Sequence, residues 1–188
     1  MTPTRLYLDV DGCVSALDTP DPAWGPFERA TVRLNYGDGM IGDYAVAWAP
    51  ALVLALDRLR ADHALDLVFV TTWNDVDGAR EELVPVLHGL GGARILPPTP
   101  GPRKPGETKG WWKAERILQD QTASPSPFIW VDDKEVPLHG DTVQSETAGT
   151  TSLAIAPDGL IGLTVDHLAT MTAWLKALAA THAGAGTR

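Results

Sequence analysis

Leu6-Tyr7-Leu8-Asp9-Val10-Asp11-Gly12 is an apolar run that stops abruptly at two carboxylates and a glycine. A short apolar run of this kind, bounded by a turn residue, reads as a strand buried on both faces, as in parallel sheets. Two further runs end in the same manner: Leu67-Val68-Phe69-Val70 before Thr71-Thr72-Trp73, and Phe128-Ile129-Trp130-Val131 before Asp132-Asp133. In an open α/β sheet, ligands bind beyond the carboxyl ends of the strands. Asp9, Asp11, Thr71, Thr72, Asp132 and Asp133 should therefore converge, making a site anionic enough to need a divalent cation.

Working outward, strand one spans 4–9, and residues 13–30, with Pro20, Pro22 and Pro26, read as an irregular loop. Residues 31–36 and 41–48 alternate around Gly37-Asp38-Gly39, a hairpin signal. Pro50 suits the start of a helix reaching about Asp62, and 65–70 is the second buried strand. Asp77 can cap a helix through Leu87 that ends at Gly89. A short strand follows at 93–96, then a proline-rich loop at 97–106. Thr108 can cap a helix to about Asp120. Strands follow at 127–131 and 152–156, with a last helix over 166–180. The reading is a Rossmann-like α/β domain over 1–180, its parallel sheet flanked by helices on both faces. The hairpin, at about 31–48, projects as a flap after the first strand, and 181–188 form a flexible tail.

Fifteen Lys plus Arg stand against twenty-four Asp plus Glu, a formal charge of −9. That balance disfavours extended duplex binding, which needs a basic stripe. It leaves room for a small phosphorylated substrate or a nucleic-acid end. The single Cys13 fits a reducing cytoplasm and reads as structural. The longest apolar stretch, 45–56, is interrupted by Pro50 and is too short to span a bilayer, so no membrane is implied. Five histidines show no metal-ligand spacing. Trp111, Trp130 and Trp174 read as core; Trp24, Trp48 and Trp73 can line the flap or the mouth of the site, with core or rim packing the stronger reading for them.

The chemistry open to these residues is phosphoryl transfer. An aspartate can attack phosphorus and split hydrolysis into two easier steps. The attack needs a cation to neutralise two anions, donors for the transferring oxygens, and a group that protonates the leaving alcohol. Gly12 permits the tight turn after Asp9 and Asp11. A lysine in the first turn of a helix opposes the macrodipole by a few tenths to about 1 kcal/mol. Carboxylates and a phosphate nearby more than offset that cost. Lys109 after Thr108 is read in that role, with Lys104 and Lys113 as competitors.

Asp9-Val10-Asp11-Gly12, Thr71 after an apolar strand, Lys109 opening a helix, and Asp132-Asp133, in that order, resemble the four motifs of the haloacid dehalogenase (HAD) superfamily of phosphatases and phosphotransferases. The short hairpin insert is similar to members with a minimal cap. Thr71-Thr72-Trp73, Trp130-Val131-Asp132-Asp133 and the late helix with Trp174 resemble HAD domains associated with RNA-repair proteins. The resemblance implies Asp9 as nucleophile and Asp11 as general acid/base. Thr71, Thr72, Lys109 and Gly12 would hold the phosphoryl group. Mg2+ would sit on Asp9, Asp133 and the backbone carbonyl of Asp11, with Asp132 accessory. Arg33 is the hairpin cation expected to meet a substrate's distal anion.

Overall fold

The computed structural model describes residues 3–35, 40–76, 78–99 and 111–185. Strands β1 (Arg5–Leu8), β4 (Asp66–Phe69), β5 (Arg94–Ile95), β6 (Phe128–Val131) and β7 (Ser152–Ile155) form one parallel sheet in the order β5-β4-β1-β6-β7. The hairpin strands β2 (Glu28–Asn35) and β3 (Ile41–Trp48) form a separate antiparallel sheet. This is the Rossmann-like α/β architecture that the alternation of strands and helices implies.

Past their first residues, Arg5 of β1 and Asp66 of β4, the three central strands are apolar throughout because both faces are covered. Leu6, Leu8, Leu67, Phe69, Ile129 and Val131 face one core, shared with α1 (Pro50–His63), α2 (Ala79–Leu87) and α5 (Val165–Ala185). The alternate residues Tyr7, Val68, Phe128 and Trp130 face the other, against α3 (Trp111–Ala123) and α4 (Glu135–Glu146). Period-two alternation thus splits one run between two layers. Each large side chain so buried contributes about 1.5–3 kcal/mol.

The amino end of the sheet carries its own ion network. Arg94 pairs with Asp66 at 3.1 Å and with Asp120 at 2.9 Å, Arg5 approaches Asp120 at 3.3 Å, and the Tyr7 hydroxyl donates to Asp120 at 2.7 Å. Burial pushes the Asp120 carboxyl up, but its bonds from Arg94 and Tyr7 outweigh that and hold it below the usual range.

Several boundaries differ from the sequence reading. Helix α4 is new: the reading left 134–151 unassigned because Pro137 and Gly140 interrupt a weakly patterned stretch. Pro137 lies in the first turn, where its missing N–H costs nothing. A Cβ at Gly140 would make only ordinary contacts, 3.4 Å from the Val136 side chain and 3.8 Å from that of Ala154, so the helix has room for a side chain where it packs on β7. Strand β2 begins at Glu28, inside the expected loop, and α5 continues past Ala180 to Ala185. The left-handed turn after α2 falls on His88 rather than Gly89. Gly89 instead lies against Val53 and Asp57, with no room for a Cβ. The hairpin turn at 37–39, Asp77, Lys104, Thr108 and Lys109 lie outside the described residues.

Candidate active site

Asp9 and Asp132 follow directly on the central strands β1 and β6, and Thr71 lies two residues past the end of β4. Because the strands are parallel and in register, their side chains meet at one edge. Asp9 is 4 % exposed and Asp132 0 %. A third buried residue, Lys113, lies between them: its Nζ donates to Asp9 Oδ2 at 2.6 Å and to Asp132 Oδ2 at 2.8 Å. The other Asp9 oxygen accepts from the Val10 N–H at 2.8 Å, and Thr71 adds a small influence that lowers the Asp9 carboxyl.

Asp132 has no oxygen left over. Its Oδ1 accepts from the backbone N–H groups of Lys134 at 3.0 Å and Glu135 at 2.7 Å, two donors that the start of α4 leaves without intrahelical partners. Asp132 therefore ties Lys113 to α4. Asp133 is different. Its Oδ1 is buried without a hydrogen-bond partner among the described residues, and its carboxylate lies between two glycines. A Cβ on Gly12 or on Gly159 would collide with that carboxylate. Gly12 also has φ of +73°, a conformation that glycine adopts without strain.

Oxygens of Asp9, Asp132 and Asp133 all lie within 4.8 Å of one another. A hard-oxygen donor set with one orphaned buried oxygen fits a divalent cation of the Mg2+ or Ca2+ kind. The electrostatics agree. Burial is the largest influence on Asp9 and pushes its carboxyl up to about 7; Lys113 pulls it down while Asp132 adds to the rise. Burial likewise raises Asp133. Burial opposes the charge on Lys113, but Asp9 and Asp132 outweigh it and hold the ammonium above its usual range. Three carboxylates facing one ammonium leave excess negative charge that a cation would neutralise.

Asp11 lies beyond the strand, half-buried, where its Oδ1 accepts from the Trp73 indole N–H at 3.1 Å. Beside it opens a cleft of about 470 Å³, lined by Asp11, 15–18 and the hairpin residues 29–31 and 45–47. Arg33, expected to face the substrate, instead pairs with Asp43 across the hairpin at 2.9 Å and is solvent-exposed. Arg29, on the same face of β2, lines the cleft and lies 5.2 Å over the Phe27 ring. Cys13 is fully buried, and burial pushes its thiol well above the usual range, which suits a structural residue.

Sequence reasoning named Lys113 only as a competitor and did not connect Trp73 with Asp11. The signal for Lys113 was available: with Ala114, Ile117 and Gln121 it forms the buried stripe of α3, so this lysine occupies a core position. Lys109, read as the site lysine, lies outside the described residues.

No curated protein and no solved structure matches this chain. A family model described as the HAD domain in Swiss Army Knife RNA repair proteins matches residues 5–168, from the first residue of β1 into α5, and takes in every site residue described above. HAD domains are generally hydrolytic and of the phosphatase type. With a sheet that gathers Asp9, Thr71, Lys113, Asp132 and Asp133 at its carboxyl edge, the chain belongs to this HAD family.

Proposed function

We propose that this protein is a Mg2+-dependent phosphomonoester hydrolase that works through an aspartyl-phosphate on Asp9. We take residues 1–180 as one catalytic domain acting in the cytoplasm on a nucleotide or nucleic-acid end. The observation that carries the reading is the unpartnered Asp133 Oδ1 beside the Asp9–Lys113–Asp132 bridge.

Asp9, Asp133 and the backbone carbonyl of Asp11 would hold the cation, with Asp132 supporting through Lys113 and α4. Mg2+ bound there would neutralise carboxylate and phosphate together, so that the two anions can meet. An Asp9 oxygen forms the bond to phosphorus while the bond to the leaving alcohol breaks. Lys113 and Thr71 are placed to hold the transferring oxygens, with Thr72 and the Gly12 turn closing the phosphoryl pocket. Asp11 gives its proton to the departing oxygen, and its carboxylate then takes one from the water that attacks the acyl-phosphate. The cleft at Asp11 lies on the leaving-group side. Arg29 there suits a second anion, as the next phosphate of an oligonucleotide end provides. The association of this family with RNA-repair proteins points the same way. Among the described residues no helix is long and apolar enough to cross a membrane.

The test is a panel of phosphomonoesters, including nucleotides and 5′- and 3′-phosphorylated oligonucleotides, assayed with Mg2+ and with EDTA. Turnover that needs Mg2+ and favours nucleotide or oligonucleotide ends is expected. Binding without turnover would make the protein a silent binder of phosphorylated ligands.

The metal assignment makes a separate prediction. Asp133→Asn should weaken Mg2+ binding by more than the roughly tenfold to hundredfold typical of losing a supporting residue. Asp132→Asn should stay within that range. Titration calorimetry that ranked Asp132→Asn as the worse of the two would reverse their roles.

A further inference from the structure

Trp73 sits in the short 3-10 turn Thr72–Asp75, directly after the strand end that carries Thr71. Its backbone N–H is 3.4 Å from Thr71 Oγ1, so the cap of that turn sets where the side chain begins. The indole is 5 % exposed, yet its one polar atom is aimed at Asp11 Oδ1, 3.1 Å away. From above, the hairpin residue Tyr44 meets the indole edge-on, with ring centroids 5.7 Å apart and planes at 62°. Such pairs favour this T-shaped geometry.

We propose that Trp73 is a positioning residue for proton transfer, fixing which oxygen of Asp11 carries the proton, and that Tyr44 holds Trp73 in place. The inference rests on the reading of Asp11 as general acid. An indole N–H donates and cannot accept. While Asp11 Oδ1 receives that hydrogen bond it serves as the acceptor, so the proton of the acid form belongs on Oδ2. Oδ2 is then the oxygen that passes its proton to the leaving alcohol as the P–O bond breaks and its electron pair moves onto that oxygen. Without the indole, the proton distributes over both oxygens and the carboxyl turns more freely on its loop. Through Tyr44 the position of the hairpin bears directly on the acid.

The discriminating measurement is leaving-group dependence. A nucleoside or alkyl phosphate expels a poor leaving group and needs the acid, whereas p-nitrophenyl phosphate expels a stable anion and does not. Trp73→Phe keeps a ring for Tyr44 and the core but removes the donor. The readout is kcat/KM, which covers only the steps through expulsion of the leaving group and not the hydrolysis of the acyl-phosphate that both esters share. With Trp73→Phe it should fall by about tenfold to hundredfold on the alkyl ester, part of what a full general acid contributes, and by less than about threefold on p-nitrophenyl phosphate. Asp11→Asn should show the same bias more strongly. Equal losses of Trp73→Phe on both esters, with Asp11→Asn still biased, would overturn the role of Trp73 alone. An unbiased Asp11→Asn would overturn the acid assignment and this inference with it. If Trp73→Phe does not fold, Tyr44→Ala carries the test, since Tyr44 is exposed on the hairpin. A loss of about threefold confined to the alkyl ester supports the coupling, and equal rates on both esters overturn it.

Discussion

Asp9→Asn should reduce turnover by about 10⁴-fold or more, the scale seen when a nucleophile is removed from an otherwise intact site. The substitution keeps the side-chain volume, and the amide oxygen can still accept from the Val10 N–H. It turns an NH2 group toward Lys113, which retains its bond to Asp132. A buried carboxyl that burial pushes up to about 7 is also exchanged for a neutral group. These two changes oppose each other, so the melting temperature should move by only a few degrees. Steady-state assays on the best ester of the panel, with circular dichroism as the folding control, make the comparison. Undiminished hydrolysis by Asp9→Asn would sink the covalent mechanism.

The largest effect on stability should come from Lys113→Ala. The lysine joins two carboxylates that are almost wholly buried, and removing it leaves both without their cation. Breaking a buried pair in this way costs about 3–5 kcal/mol. At roughly 2–4 °C per kcal/mol for a chain of this size, the melting temperature should fall by about 10 °C. Activity should vanish with it. Adding Asp132→Asn should restore part of the stability and none of the activity, because it removes one stranded charge without replacing the phosphoryl donor. The ammonium is held above its ordinary value of 10.5. Its contribution is therefore complete below that pH and is lost only as pH rises beyond it. The lysine thus stays charged in ordinary assays, whereas its partner Asp9, pushed up to about 7, gains its charge within that range. Lys109→Ala in parallel settles which lysine belongs to the site. Loss of activity there, with Lys113→Ala active, would reverse the assignment.

The central strands are legible in the sequence because burial on both faces leaves no polar interruption, so each apolar run marks its own strand and its end marks the site. The acidic pairs and Thr71 follow from that alone. Helix α4 is not legible because what fixes it is tertiary: the Asp132 carboxylate that accepts from its first N–H groups, and its packing against α3 and β7. Lys113 was passed over for a related reason. What marks Lys113 is its place in the buried stripe of α3 and not its distance from a helix start. Trp73 was read as a rim aromatic because aromatic character is visible in a sequence and the aim of a single N–H is not. Arg33 reads as the cation facing the substrate because it flanks the hairpin turn, but its cross-strand neighbour is Asp43, a register that pattern alone does not supply.

The hairpin divides its labour by parity. Val32 and Leu34 on β2, with Val46 and Trp48 on β3, are buried in the main core, while Arg29, Thr31, Arg33 and Asn35 alternate outward. Inward positions answer to stability: trimming one leaves a cavity at a cost of about 1–4 kcal/mol. Outward positions answer mainly to solvent or to whatever enters the cleft, and exchanges there stay within about 0.5 kcal/mol. Selection can therefore retune the odd-numbered residues of β2 for new substrates while the even-numbered ones keep the wall standing. Divergence among descendants of this chain should accumulate in one parity of one strand, a record of changing diet written on a frame that hardly ages.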